Sequence, residues 1–282
     1  MIARLVALAA ALLLAACGAP EREWPEPKPA LWEVVSPEGQ RGWLFGTIHS
    51  LPAEVRWRTA KLDEALDEAG VVVVEIAELG DADKAADAFN RYANAEGLPP
   101  LAQRVAPKDR ADLAAFFDRA ETGEGPFAER ETWAAALTLA NRARRLDASQ
   151  SVDRALIGDA REVVGLESHA AQYALFDALP PAEQADLLMA VARDTGSEAQ
   201  RVEAWLTGDL AALESLSAGL LTDPELRAAL QTGRNRQWAS RIAELVESGR
   251  RPFVAVGTAH LFGEQSLAEL LEMQGYKVRR IQ

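Results

Sequence analysis

Apolar positions recur along this chain at two periods, and the order in which they alternate predicts its elements. Leu31-Trp32-Glu33-Val34-Val35 and Trp43-Leu44-Phe45 are short β-prone runs flanking Ser36-Pro37-Glu38-Gly39-Gln40, a turn sequence, and together they predict a hairpin. Lys61 to Ala69 then sets Leu62, Ala65, Leu66 and Ala69 on one face of a polar helix. Gly70 ends that helix, and Val71-Val72-Val73-Val74 predicts a strand buried on both faces. Strand, helix and strand in succession are the order of an α/β fold.

From about Asp81 to Ile157 the period is helical throughout, broken at Leu98-Pro99-Pro100 and at Gly123-Glu124-Gly125-Pro126. This predicts a large helical insertion at about 81–158. Strand character returns at Glu162 to Leu166, helices fill Gln172 to Ser248, and Pro252 to Val256 predicts another buried strand. A helix at Ser266 to Gln274 and an edge strand at Lys277 to Ile281 close the chain. The expected architecture is α/β, bordering on α+β, with a central mixed sheet in one domain over 31–282.

The N-terminus follows another pattern. Arg4 precedes Leu5 to Ala16, a run of Leu, Val and Ala alone, which is the layout of a signal peptide. The run is too short for a bilayer span, which needs ~20 apolar residues. It ends in Leu14-Ala15-Ala16-Cys17, so residues 1–16 are expected to be removed and Cys17 to carry lipid. Cys17 is the only cysteine, so no disulfide can stabilise the fold, and acylation would remove an unpaired thiol. Residues 17–30, rich in proline and charge, are expected to be a lipid-anchored spacer. Ordinary secretion with a chance cysteine is the alternative. The expected location is the cell envelope, with Gly18 favouring the outer membrane and a domain facing the periplasm. A net charge of -13 excludes nucleic acid as a partner.

The candidate chemistry rests on a short echo. Leu44-Phe45-Gly46-Thr47-Ile48-His49 and Ala255-Val256-Gly257-Thr258-Ala259-His260 are each an apolar strand ending in Gly-Thr-x-His, and they use two of the three histidines. Glycine at a strand end permits a sharp turn or a close approach, and the histidine then falls where open α/β sheets build sites. Satisfied structural histidines are the bland alternative. Glu75 directly follows four valines, where an unpaired charge is costly, and could complete a two-histidine, one-carboxylate metal site. Glu78 lies further into the same loop. Glu167, after Val163 to Leu166, repeats the strand-end arrangement and is a second ligand or general base. For each carboxylate an ion pair or helix cap stays open. Arg234 lies in the apolar stripe Leu230, Arg234, Trp238, Ile242, where it either snorkels or reaches into a site to bind a carboxylate, phosphate or developing oxyanion. Asn235, a quarter-turn away, could join a polar network. His169 is expected to be an exposed first-turn residue.

Gly46 to His49, the valine run into Glu75, Gly165-Leu166-Glu167 with Gln172, Arg234-Asn235 before Trp238, and Val256 to Leu261 with Gly263 resemble the TraB/GumN family in the family's order. That family is similar to the Tiki proteins, proposed metalloproteases, and more remotely to erythromycin esterases and ChaN-type haem-binding lipoproteins. The resemblance implies a site with His49, Glu75 and His260 at its core and Glu167 and Arg234 in support. The leading expectation is metal-dependent hydrolysis, with a peptide bond foremost. A divalent ion would be held by His49, Glu75 and His260, Glu167 would move protons, and Arg234 would steady an oxyanion. Two alternatives stand beside it: a metal-free esterase with a histidine base, and a carrier that binds haem or a peptide. No HExxH helix and no GxSxG elbow is present.

Overall fold

A computed structural model describes residues 22–144, 151–196 and 198–282. The expected leader and Cys17 lie outside them. Six strands form one sheet in the order β4-β3-β5-β2-β1-β6. They are β1 (Leu31–Val35), β2 (Arg41–Thr47), β3 (Val71–Ile76), β4 (Val163–Glu167), β5 (Pro252–Gly257) and β6 (Lys277–Arg280). β4, β3, β5 and β2 run parallel, while β1 returns antiparallel through the hairpin and carries β6 antiparallel at the edge. The helices are α1 (Ala60–Glu68), α2 (Ala82–Tyr92), α3 (Arg110–Arg119), α4 (Thr132–Ala143), α5 (Val152–Asp159) and α6 (His169–Asp177). They continue as α7 (Pro181–Arg193), α8 (Glu198–Leu206), α9 (Leu210–Leu221), α10 (Pro224–Arg227), α11 (Gly233–Glu247) and α12 (Leu267–Met273). This is the α/β architecture, with a mixed sheet and added helices, that the hydrophobic pattern predicts. Among the described residues no helix is long and apolar enough to cross a membrane.

The continuous apolar runs of the central strands follow from burial on both faces. Phe45, Val72, Val74, Phe253 and Ala255 pack to one side with Leu62, Trp205 and Leu156. Their neighbours Leu44, Val71, Val73, Val254 and Val256 pack to the other with Trp238, Ile242 and Leu267. A third core lies in the helical layer around Trp133, Phe116 and Leu188.

That layer is wider than the predicted insertion. It joins α2 to α4 with α6 and α7, from beyond β4, because Trp133 stacks on Tyr173 and Phe176 at 5.8 and 5.7 Å. α5, by contrast, places Val152 and Leu156 in the sheet core. The proline-rich stretch also departs from a free spacer near its end. Trp24 packs on the sheet core and Pro29 and Ala30 are buried, since an indole has apolar surface to hide.

The helical stretch that carries the stripe from Leu230 to Ile242 is interrupted by a π-turn. Asp223 caps α10 through the Leu226 N–H, a π-helical turn spans Ala228–Thr232, and α11 continues from Gly233. A Cβ at Gly233 would lie 2.5 Å from the Ala228 carbonyl oxygen, so glycine is what lets the widened turn close.

Candidate functional site

β2 and β5 are neighbours, with Thr47 opposite Gly257, so both Gly-Thr-x-His motifs leave the sheet side by side at its carboxyl edge. The glycines have different tasks. At Gly46 a Cβ would lie 2.7 Å from Thr258 Oγ1, and this close approach lets the Thr258 hydroxyl donate to the Thr47 carbonyl at 2.8 Å. The Trp205 indole N–H donates to the Gly46 carbonyl at 2.8 Å and fixes the same turn. At Gly257 a Cβ would lie 3.1 Å from Glu75 Oε1, 3.8 Å from His49 Nε2 and 3.9 Å from His260 Cδ2. The two imidazoles and the carboxylate therefore converge over the bare face of one glycine.

Each imidazole is anchored through Nδ1. His49 Nδ1 lies 3.2 Å from Asp153 Oδ2, and this hydrogen bond raises the His49 pKa. The His49 side chain remains 63 % exposed, open to the cleft. His260 is buried, with Nδ1 2.6 Å from Asn235 Oδ1. Asn235 Nδ2 donates to the Gln265 carbonyl at 2.8 Å, which turns its oxygen toward His260. That oxygen only accepts, so Nδ1 carries the proton, and Nε2 accepts from Arg234 Nη1 at 3.3 Å. Burial pushes the His260 pKa down to about 4, consistent with this neutral tautomer.

Arg234 lies within the cluster, with a side chain 11 % exposed and its guanidinium 4.4 Å from the centroid of the Trp238 ring. All five N–H donors are committed. Nε donates to Glu167 Oε2 at 3.2 Å and Nη2 to Glu167 Oε1 at 2.6 Å and Glu75 Oε2 at 2.7 Å. Nη1 donates to the Leu230 carbonyl at 3.1 Å and to His260. Burial alone would raise the Glu75 pKa; His260 when protonated, the fields of Arg234 and His49 and the Gly257 N–H reverse this and hold it at about 2. With His260 neutral, Arg234 is the standing cation among these. Glu167 is shifted upward by burial, against the pull of Arg234, and accepts a further bond from Gln172 at 3.0 Å.

His49, Glu75, Arg234 and His260 thus line a cleft of about 780 Å³, and Glu167 joins them through Arg234. Leu137, Phe176, Met189, Leu220 and Leu230 supply apolar wall from the helices. Glu78 lies outside the cluster, exposed and paired with Lys84. His169 is buried rather than exposed: it occupies the first turn of α6, but its Nε2 sits 3.3 Å from the Glu78 carbonyl beneath the loop that follows β3. Two contributors escape sequence reasoning. Asp153 follows the Ser151 cap of α5, where an acidic residue reads as a complement to the helix dipole. Gln231, in the π-turn, donates to the Ala259 and Phe262 carbonyls and holds the second histidine's loop. Among the described residues, carboxylate oxygens of Glu183, Asp186 and Asp223 lie within 4.8 Å of one another, on or beside the cleft wall. The donor atoms of His49, Glu75 and His260 are more widely spaced than these.

Neither the curated proteins nor the solved structures hold a match to this chain. A family model does match, over residues 30–280, nearly the whole chain, and on that match the chain belongs to the TraB/PrgY/gumN family.

Proposed function

We propose that this chain is a cell-envelope hydrolase, anchored through Cys17, that holds a divalent metal ion with His49, Glu75 and His260 and cleaves a peptide bond. The observation that carries the reading is the convergence of His49 Nε2, Glu75 Oε1 and the His260 ring on the face of Gly257. Both imidazoles have Nδ1 tied to an oxygen acceptor, which is how metal-binding histidines are oriented and kept basic. Two imidazoles and a carboxylate form a donor set that suits several divalent ions and leaves coordination positions open. The residues therefore fit such an ion in their chemistry, once the donors draw together and Arg234 releases His260. Bound there, the ion would supply Lewis acidity and lower the pKa of a water molecule.

The chain's own groups do the rest. Because all five donors of Arg234 are engaged, we assign it to positioning Glu75 rather than to an oxyanion, and Glu167 to holding Arg234 rather than to proton transfer. The apolar wall of the cleft offers a surface for side chains that flank the bond cleaved. The test is digestion of a mixed peptide library by protein purified without chelator, read by mass spectrometry. Cleavage should vanish with chelator, return with added metal and be absent from His49→Ala and His260→Ala. No cleavage under any metal would overturn the reading.

A second reading has its own observation, the exposed His49 imidazole backed by a buried carboxylate. That pair could serve as a general base for ester hydrolysis without metal. Chelator-insensitive turnover that survives in His260→Ala would select it.

A further inference from the structure

We infer that Asp153 is the positioning residue of His49, fixing its tautomer and aiming Nε2 into the cleft. This rests on the reading of His49 as part of the centre. Asp153 is 4 % exposed and reaches the site from α5, 104 residues along the chain from His49. Both of its oxygens are committed: Oδ1 accepts from the Thr47 hydroxyl at 2.7 Å and Oδ2 pairs with His49 Nδ1 at 3.2 Å. It is buried and does not line the cleft, so it acts through His49 rather than on a ligand.

A residue that served only the dipole of α5 would need no burial, since exposed acidic residues also stabilise helix N-termini. Burying a carboxylate is costly unless it is hydrogen-bonded, and the partners that satisfy this one are Thr47 and His49. Since a carboxylate only accepts, it holds the proton on His49 Nδ1 and leaves the Nε2 lone pair facing the cleft. α5 is seated for the task. The Val152 N–H donates to the Ile48 carbonyl at 3.3 Å, and Ser151 caps the helix through the Arg154 N–H.

The same geometry gives the two motif threonines separate duties. Thr258 donates to the Thr47 carbonyl and joins the motifs, while Thr47 spends its hydroxyl on Asp153. Asn235 is the counterpart of Asp153 for His260. One histidine is thus anchored by a charge and the other by a neutral amide, and the carboxylate makes His49 the more electron-rich of the two.

The experiment uses the full mature chain as wild type, Asp153→Ala, Asp153→Asn and Thr47→Val. Nitrogen-15 chemical shifts of the imidazoles report which ring nitrogen carries the proton, without metal. Calorimetry with zinc alone reports affinity. His49 in the wild type should show a protonated Nδ1 and a bare Nε2. Asp153→Ala should lose that preference and bind zinc about 10- to 100-fold more weakly, the usual loss when an outer partner of a metal ligand is removed. Asp153→Asn, which keeps an acceptor and loses the charge, should fall between. If Asp153→Ala does not fold, Asp153→Asn and Thr47→Val carry the test. Wild-type His49 shifts in every folded variant would overturn the assignment. A wild type that binds no zinc but shows the expected tautomer, lost on substitution, would sink the metal reading and leave Asp153 in place.

Discussion

Gly257 has no side chain, and the volume one would occupy is where His49, Glu75 and His260 meet. Its backbone, at φ -49 and ψ 131, is open to any residue, so Gly257→Ala should fold. The added methyl would sit 3.1 Å from Glu75 Oε1. Metal affinity should therefore fall in calorimetry while the melting temperature hardly moves; unchanged affinity would show that this face is not the site. Arg234 behaves in the opposite way. Its removal strands two buried carboxylates, so Arg234→Met should lose about 3–5 kcal/mol in a denaturant titration of the metal-free protein. Arg234→Lys should lose less, yet cannot restore five directed bonds. A wild-type titration curve for Arg234→Met would contradict the network. The sequence exposed Glu75, Glu167 and Arg234 because each interrupts an apolar pattern, and His49 and His260 because a motif repeats. Asp153 and Gln231 stayed hidden because each sits where its residue type is ordinary, in a helix's first turn and on a helix.

At the scale of elements, the two motifs are held together by a contact that one glycine permits. Gly46→Ala would bring a methyl to 2.7 Å from Thr258 Oγ1 and 3.1 Å from its Cγ2. Overpacking of this kind costs about 1–3 kcal/mol, and it would also part the strand ends that set His49 against His260. Adding Thr258→Ala removes both nearest atoms, so the double variant should be more stable than the two single losses summed. Strict additivity in thermal melts would refute the contact. The strands themselves were legible, since valine runs and the hairpin turn are local signals. Most of their order was not, because it depends on long-range pairing; only the shared Gly-Thr-x-His motif pointed to β2 beside β5. The π-turn was equally hidden. The stripe Leu230, Arg234, Trp238, Ile242 fits a regular helix, and the widened turn at Ala228–Thr232 is betrayed by little more than Gly233 after it.

For the molecule as a whole, the cluster ties stability to pH. His260 has a folded pKa of about 4 against an ordinary 6.5, so the unfolded chain takes up a proton that the folded one refuses. Its contribution is complete above pH 6.5 and declines as pH falls toward 4, by about 3 kcal/mol. Glu75, held at about 2, adds a further loss that begins near its ordinary 4.5 and continues below. His49, raised, has the opposite sign and adds stability below its ordinary value. Chelated protein unfolded by denaturant at pH 7.5 and pH 4.5 should therefore lose less stability in His260→Gln than in the wild type. Equal losses would show that His260 is not buried neutral. The family and its α/β frame were legible at this scale because five site residues occur in order along nearly the whole domain. The cleft was not, since its wall comes from helices on both sides of β4.

The central claim is that His49, Glu75 and His260 share one ion, and metal content tests it most directly. Protein purified without chelator, then loaded with a divalent ion and dialysed, should retain one ion per chain by elemental analysis. His49→Ala and His260→Ala should each lose it while remaining folded, and Asp186→Ala, in the neighbouring acidic trio, should keep it. A wild type that retains no ion, or a folded His260→Ala that retains it undiminished, would contradict the account.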